Sequence, residues 1–174
     1  MQSKVVIILG SKSDLPKVEP ALDMLNSLGI SFTYRIFSAH RTPKELASFI
    51  EKVNDSDNCQ VVIAAAGMSA ALAGAIAAQT IKPVIGIPIA GSKLDGMDAL
   101  LSTVQMPPGL PVACMAIDGA KNAALMAAEI VALSDVTVRR ELTKFRLSQS
   151  KEVIDANSKI NRDYKHFYDN PILD

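Results

Sequence analysis

Val5-Val6-Ile7-Ile8-Leu9-Gly10-Ser11-Lys12-Ser13-Asp14 opens the chain with five uninterrupted apolar residues, then a glycine, then a cluster of hydroxyls and charge. The apolar run is too short for a signal-peptide core followed by a cleavage site, and its β-branched residues read as a strand buried on both faces. The residues after it change period. Leu15, Val18, Leu22, Leu25 and Leu28 recur at helical spacing, which predicts a helix from about Ser13 to Leu28, closed by Gly29. A buried strand leading through a glycine turn into an amphipathic helix is half of a βαβ unit.

The same alternation continues outward. Strands are predicted at 30–37, 61–65, 83–87 and 112–116, and helices from Thr42-Pro43, over 69–79, 96–104 and 120–133. Thr42 with Glu45 matches a capping box, and Pro43 suits a first helical position. The uncharged stretch from Gln60 to Ile81 is long enough to span a bilayer, but β-branched Val61-Val62-Ile63, the break at Gly67 and Ser69, and the Ala/Gly-rich remainder read as strand, turn and helix. Continuous rather than alternating apolar strands mean a parallel sheet covered on both faces. The expected fold is α/β, a three-layer sandwich on a five-stranded parallel sheet in flavodoxin-like order. Residues 1–150 form one domain, and 151–174 a charged C-terminal helical arm, read as a subunit contact because Val138, Leu142, Phe145, Val153 and Ile154 are too many apolar groups for a free helix.

Composition narrows the function. The 174 residues are 49% hydrophobic and 21% charged, which excludes a disordered chain. Lys+Arg and Asp+Glu are 18 each, so no basic excess exists for nucleic acid or an anionic membrane. Cys59 and Cys114 are the only cysteines and read as buried reduced thiols of a cytoplasmic protein. With only His40 and His166, a multi-histidine metal site is excluded, and His166 reads as surface or subunit contact.

In such sheets ligands bind beyond the carboxyl ends of the strands. Gly10 to Asp14 offers amides and hydroxyls for a phosphate, with Ser13 or Asp14 also a helix cap. The dinucleotide and Walker glycine patterns are absent, which argues against NAD and ATP. Ser38-Ala39-His40-Arg41 pairs a proton-transfer group with an anion fork. Ala66 to Gly74 is small and apolar, so backbone can approach a ligand closely. The 89–93 and 118–122 loops complete the rim, and the Met106–Gly109 turn covers either a site or a subunit contact. A flavodoxin would need aromatic residues on this rim, and a phosphoacceptor receiver domain an aspartate at the end of the third strand. Neither is there.

Gly10-Ser11-Lys12-Ser13-Asp14, Ser38-Ala39-His40-Arg41-Thr42-Pro43, the Ala66 to Gly74 loop, Gln105-Met106-Pro107-Pro108-Gly109 and Lys121-Asn122-Ala123-Ala124-Leu125 occur in this order. The set, over about residues 4–150, resembles the N5-carboxyaminoimidazole ribonucleotide mutases and the related aminoimidazole ribonucleotide carboxylases of purine biosynthesis. The resemblance implies a homo-octamer with a site shared between subunits, a small nucleotide substrate, and neither metal nor organic cofactor. It implies Ser11, Asp14 and Arg41 as substrate-binding residues, Ser13 and Ser38 lining the same pocket, and His40 as the general acid–base. The third loop, through Gly67, Ser69, Ala70 and Leu72, would hold the carboxylate or carbon dioxide with its backbone. In the mutases that loop usually carries a histidine and a proline, where this chain has Ala71 and Ala73, a form closer to the direct carboxylases. Arg41-Thr42-Pro43 and Val104-Gln105-Met106-Pro107 are mutase-like, so the mutase is the main reading and carboxylation with free carbon dioxide the alternative.

Overall fold

Five parallel strands lie in the order β2-β1-β3-β4-β5 in the computed structural model, which describes residues 2–91 and 93–163. The strands are β1 (Val5–Leu9), β2 (Phe32–Ile36), β3 (Val61–Gly67), β4 (Val84–Ile89) and β5 (Ala113–Cys114). The helices are α1 (Leu15–Ser27), α2 (Pro43–Asn54), α3 (Leu72–Ala77), α4 (Met97–Val104), α5 (Ala120–Ala132) and α6 (Val136–Asp163). This is the expected flavodoxin-like order, with its reversal point between β1 and β3. Two compact units divide the chain, Met1–Arg139 and Arg140–Asp174. The first holds all five strands and α1 to α5. No helix among the described residues is long and apolar enough to cross a membrane.

The central strands carry the core because their runs have no polar residue to turn outward. Every residue of β1 and β4 is buried, as are Val61 to Ala65 of β3. Val5, Val6 and Ile7 stand level with Val61, Val62 and Ile63, so β-branched side chains meet across the pair. Leu46, Ile50 and Val53 of α2 and Leu72 and Ile76 of α3 pack on one side of this layer. Gly86 in β4 makes room for α4. A Cβ there would lie 2.4 Å from Thr103 Cγ2 and 3.1 Å from Val112 Cγ1.

Several local expectations are corrected. The sheet is not covered to its edge, since Tyr34, Arg35 and Ile36 of β2 are exposed. β5 is two residues rather than five, and pairs with β4 only at Ile85↔Ala113 and Gly86↔Cys114. α3 starts at Leu72 rather than Ser69, because Met68 has φ 56° and the Ala71 N–H turns back to the Ser69 carbonyl. Thr42 makes no capping box with Glu45; its Oγ1 instead accepts from the Ser38 N–H at 2.9 Å. Cys59 is buried and Cys114 half-buried, both as free thiols. The Met106–Gly109 turn packs on α3, where a Cβ on Gly74 would meet Met106 Sδ at 3.3 Å. His166 lies outside the described residues.

Candidate active site

Ser11 stands where β1 ends, in extended conformation, and caps a single 3-10 turn, Lys12–Asp14, that leads into α1. Its Oγ accepts from the Ser13 N–H at 3.3 Å and from the Ser13 hydroxyl at 2.8 Å. The Asp14 carboxylate reaches back to the Ser11 N–H at 3.0 Å, so the capping box runs between Ser11 and Asp14. Asp14 is the one buried carboxylate of the first unit's described residues. Burial pushes its pKa up, while the Ser11 and Ser13 hydrogen bonds and the Lys17 charge pull it down. A carboxyl whose pKa is higher folded than unfolded adds stability below its unfolded pKa. That contribution is lost as pH climbs through the raised folded value. Ionisation of Asp14 therefore comes at a cost to the fold.

The second strand's loop is a tight turn over residues 39–41. Ser38 organises it: its Oγ accepts from the Arg41 N–H at 3.2 Å and its carbonyl from the Thr42 N–H at 2.9 Å. The folded turn leaves the His40 and Arg41 side chains exposed at the strand's carboxyl end. After β3, the Gly67 backbone runs against β4 so closely that a Cβ would lie 2.9 Å from the Ile89 carbonyl oxygen. Met68 follows, exposed and in left-handed conformation.

These loops enclose one cavity of about 720 Å³ over the β1/β3 reversal point. Ser11, Ser13, Asp14, Ser38, His40 and Arg41 line one side of it. Gly67, Ser69 and Leu72 line the other. The cavity is large enough for a ribonucleotide, and joins hydroxyls, one carboxylate, an imidazole and a guanidinium to a wall of small residues. Ala70 is brought near but not in; it is 2% exposed and packs beneath the loop. The 118–122 loop does not line the cavity, and Ser92 lies outside the described residues.

The structure adds one residue that local sequence reading misses, Lys17, and shows which residues of the 66–74 and 89–93 rim loops reach the cavity. Lys17, Met68, Ile89, Ala90 and Gly91 line the cavity as well. Lys17 lies one helical turn beyond Asp14, a spacing that could have flagged it. Met68, Ala90 and Gly91 lie on loops already placed on the rim, and Ile89 ends β4.

Residues 4–152 match the family model described as AIR carboxylase. The N5-carboxyaminoimidazole ribonucleotide mutase of Methanocaldococcus jannaschii is 44% identical over 161 residues, 92% of this chain and 99% of that one. The protein of the same name from Escherichia coli K12 is 43% identical over 155 residues, covering 88% and 91%. Among solved structures, Treponema denticola PurE superposes with a TM-score of 0.83 at 31% identity, covering 89% of this chain and 96% of that one.

Proposed function

The chain belongs to the AIR carboxylase family, and on that premise we propose that it is an N5-carboxyaminoimidazole ribonucleotide mutase of purine biosynthesis. It moves a carboxyl group from the exocyclic nitrogen of the substrate to carbon 4 of the imidazole ring. The observation that carries the reading is the convergence of Ser11, Asp14, His40 and Arg41 on one cavity in a chain that matches curated mutases over almost their whole length.

The residues divide the work by their chemistry. Arg41 and the hydroxyls of Ser11 and Ser13 take the phosphate, and Asp14 the ribose hydroxyls. Ser38 orients the turn that presents His40. Protonated His40 gives its proton to the exocyclic nitrogen as the C–N bond breaks, releasing carbon dioxide. The enamine-like carbon 4 attacks the carbon dioxide, a C–C bond forms, and the proton left on carbon 4 returns to His40. The imidazole ends as it began. The segment after β3, which meets the cavity through Gly67, Ser69 and Leu72, retains carbon dioxide between the two steps, and its small apolar walls limit hydration.

Purified protein supplied with N5-carboxyaminoimidazole ribonucleotide made in situ is expected to turn over faster than with aminoimidazole ribonucleotide plus bicarbonate. Turnover only in the second assay overturns the mutase reading. One observation favours that second reading, direct carboxylation: Ala71 lines the cavity and supplies no ionisable group where the mutases usually carry histidine.

The catalytic domain is residues 1–150, and 151–174, of which 164–174 lie outside the described residues, serve as an arm that contacts neighbouring subunits in a cytoplasmic homo-octamer. Exposed Leu147, Val153, Ile154 and Ile160 on α6 support the contact. The exposure of His40 and Arg41 supports a site completed by a neighbour, since trapping carbon dioxide needs a closed mouth. Sedimentation of the full chain is expected at the octamer's mass, and a stable monomer contradicts it.

A further inference from the structure

We propose that Lys17 and Asp118 are positioning residues for this reaction, an ion pair that fixes the Ile89–Gly91 wall of the cavity through both hydrogen-bonding groups of Ala90. Lys17 Nζ lies 2.8 Å from Asp118 Oδ2 and donates to the Ala90 carbonyl at 2.6 Å. Asp118 Oδ1 accepts from the Ala90 N–H at 2.9 Å. One backbone unit of the wall is thus held at both ends by side chains from two other elements, α1 and the turn after β5.

The chemistry of each residue fits the task. A lysine ammonium is a compact charge with three donors, able to serve a carbonyl and a carboxylate together. Asp118 sits at φ 54°, a left-handed conformation uncommon outside glycine but several-fold enriched in aspartate. Its own N–H donates to the Pro88 carbonyl at 2.9 Å, so the turn is laced to the end of β4 at a second point. Lys17 and Ala90 line the cavity; Asp118 stands behind them. Lys17 and Asp14 line the same cavity, and the positive charge of Lys17 opposes the burial that pushes that carboxyl's pKa up. The other charged or titratable groups lining the cavity are His40 and Arg41. Removing Lys17 therefore takes a cation from Asp14, while removing the charge of Asp118 leaves that cation unmasked. The two changes act on Asp14 in opposite directions.

The inference rests on the mutase reading, and the experiment separates the two. Steady-state kinetics with N5-carboxyaminoimidazole ribonucleotide are measured across the acid range for the wild type, K17M, K17R, D118N and D118A. Exchange of the Ala90 amide hydrogen is followed alongside. KM is expected to rise about tenfold in K17M and D118A, with kcat changed less than about threefold, because the wall holds substrate while His40 moves the proton from the opposite loop. The acid limb of kcat/KM moves to higher pH in K17M and to lower pH in D118N, and K17R restores KM. The Ala90 amide exchanges faster in D118A. Unmoved KM and acid limbs in a wild-type-active series overturn the inference alone, even if Ala90 exchange quickens, since that is a merely structural pair. A wild type inactive on this substrate removes the mutase reading and the inference with it.

Discussion

His40→Asn is expected to lower kcat by about 10²–10⁴-fold while substrate still binds. Asparagine keeps a polar side chain of similar reach on the exposed turn over residues 39–41, so the fold has no reason to fail. It cannot carry a proton to the exocyclic nitrogen or take one from carbon 4. The turn itself is held by Ser38 and Thr42, through hydrogen bonds that do not involve the imidazole. Binding should therefore survive, because Asp14 and Arg41 are untouched. Calorimetric titration with aminoimidazole ribonucleotide alongside turnover checks both halves. Wild-type turnover in the variant would remove the imidazole from the mechanism.

Gly86→Ala is expected to destabilise the protein by about 1–3 kcal/mol without touching the cavity. The added methyl would press on Thr103 Cγ2 at 2.4 Å, Val112 Cγ1 at 3.1 Å and Ala73 Cβ at 3.4 Å. Thr103 cannot swing aside cheaply. It is branched at Cβ, 2% exposed, and its hydroxyl donates to the Ala99 carbonyl at 2.7 Å. Removing only the offending methyl should relieve the strain: Thr103→Ser in the Gly86→Ala background is expected to recover part of the loss, since serine keeps the hydroxyl. Denaturant midpoints for the two singles and the double give the coupling. A double variant no more stable than Gly86→Ala would mean that the crowding lies elsewhere.

The central sheet was legible because β1, β3 and β4 are apolar without interruption, a pattern that only a strand buried on both faces tolerates. The edges were not. Val112 to Ala116 is as apolar as a central strand, yet β5 stands last in the sheet and follows Pro111, which has no N–H to donate to the ladder. Thr42 and Glu45 satisfy a local capping pattern, but the hydroxyl is taken by Ser38, four residues back. The site divides in the same way. His40, Arg41, Ser11 and Asp14 carry their chemistry in their side chains and fall where strands end. Ala70 belongs to the same loop as Gly67 and Ser69, but the direction in which a turn residue points has no periodicity to read. The tie between Lys17 and Asp118 spans 101 residues and exists only once the sheet has formed.

The reciprocal cap between Ser11 and Asp14 has a consequence for anyone engineering a hardier version of this protein. The carboxylate that closes the cap is also the charge that burial disfavours. An asparagine in its place would still accept from the Ser11 amide and would shed the penalty. A screen that scores heat tolerance alone would therefore discard this aspartate early, and its hits would melt later while losing the ribose contact proposed for Asp14. Durability and ligand capture pull against each other at this one position, so the two traits have to be selected together.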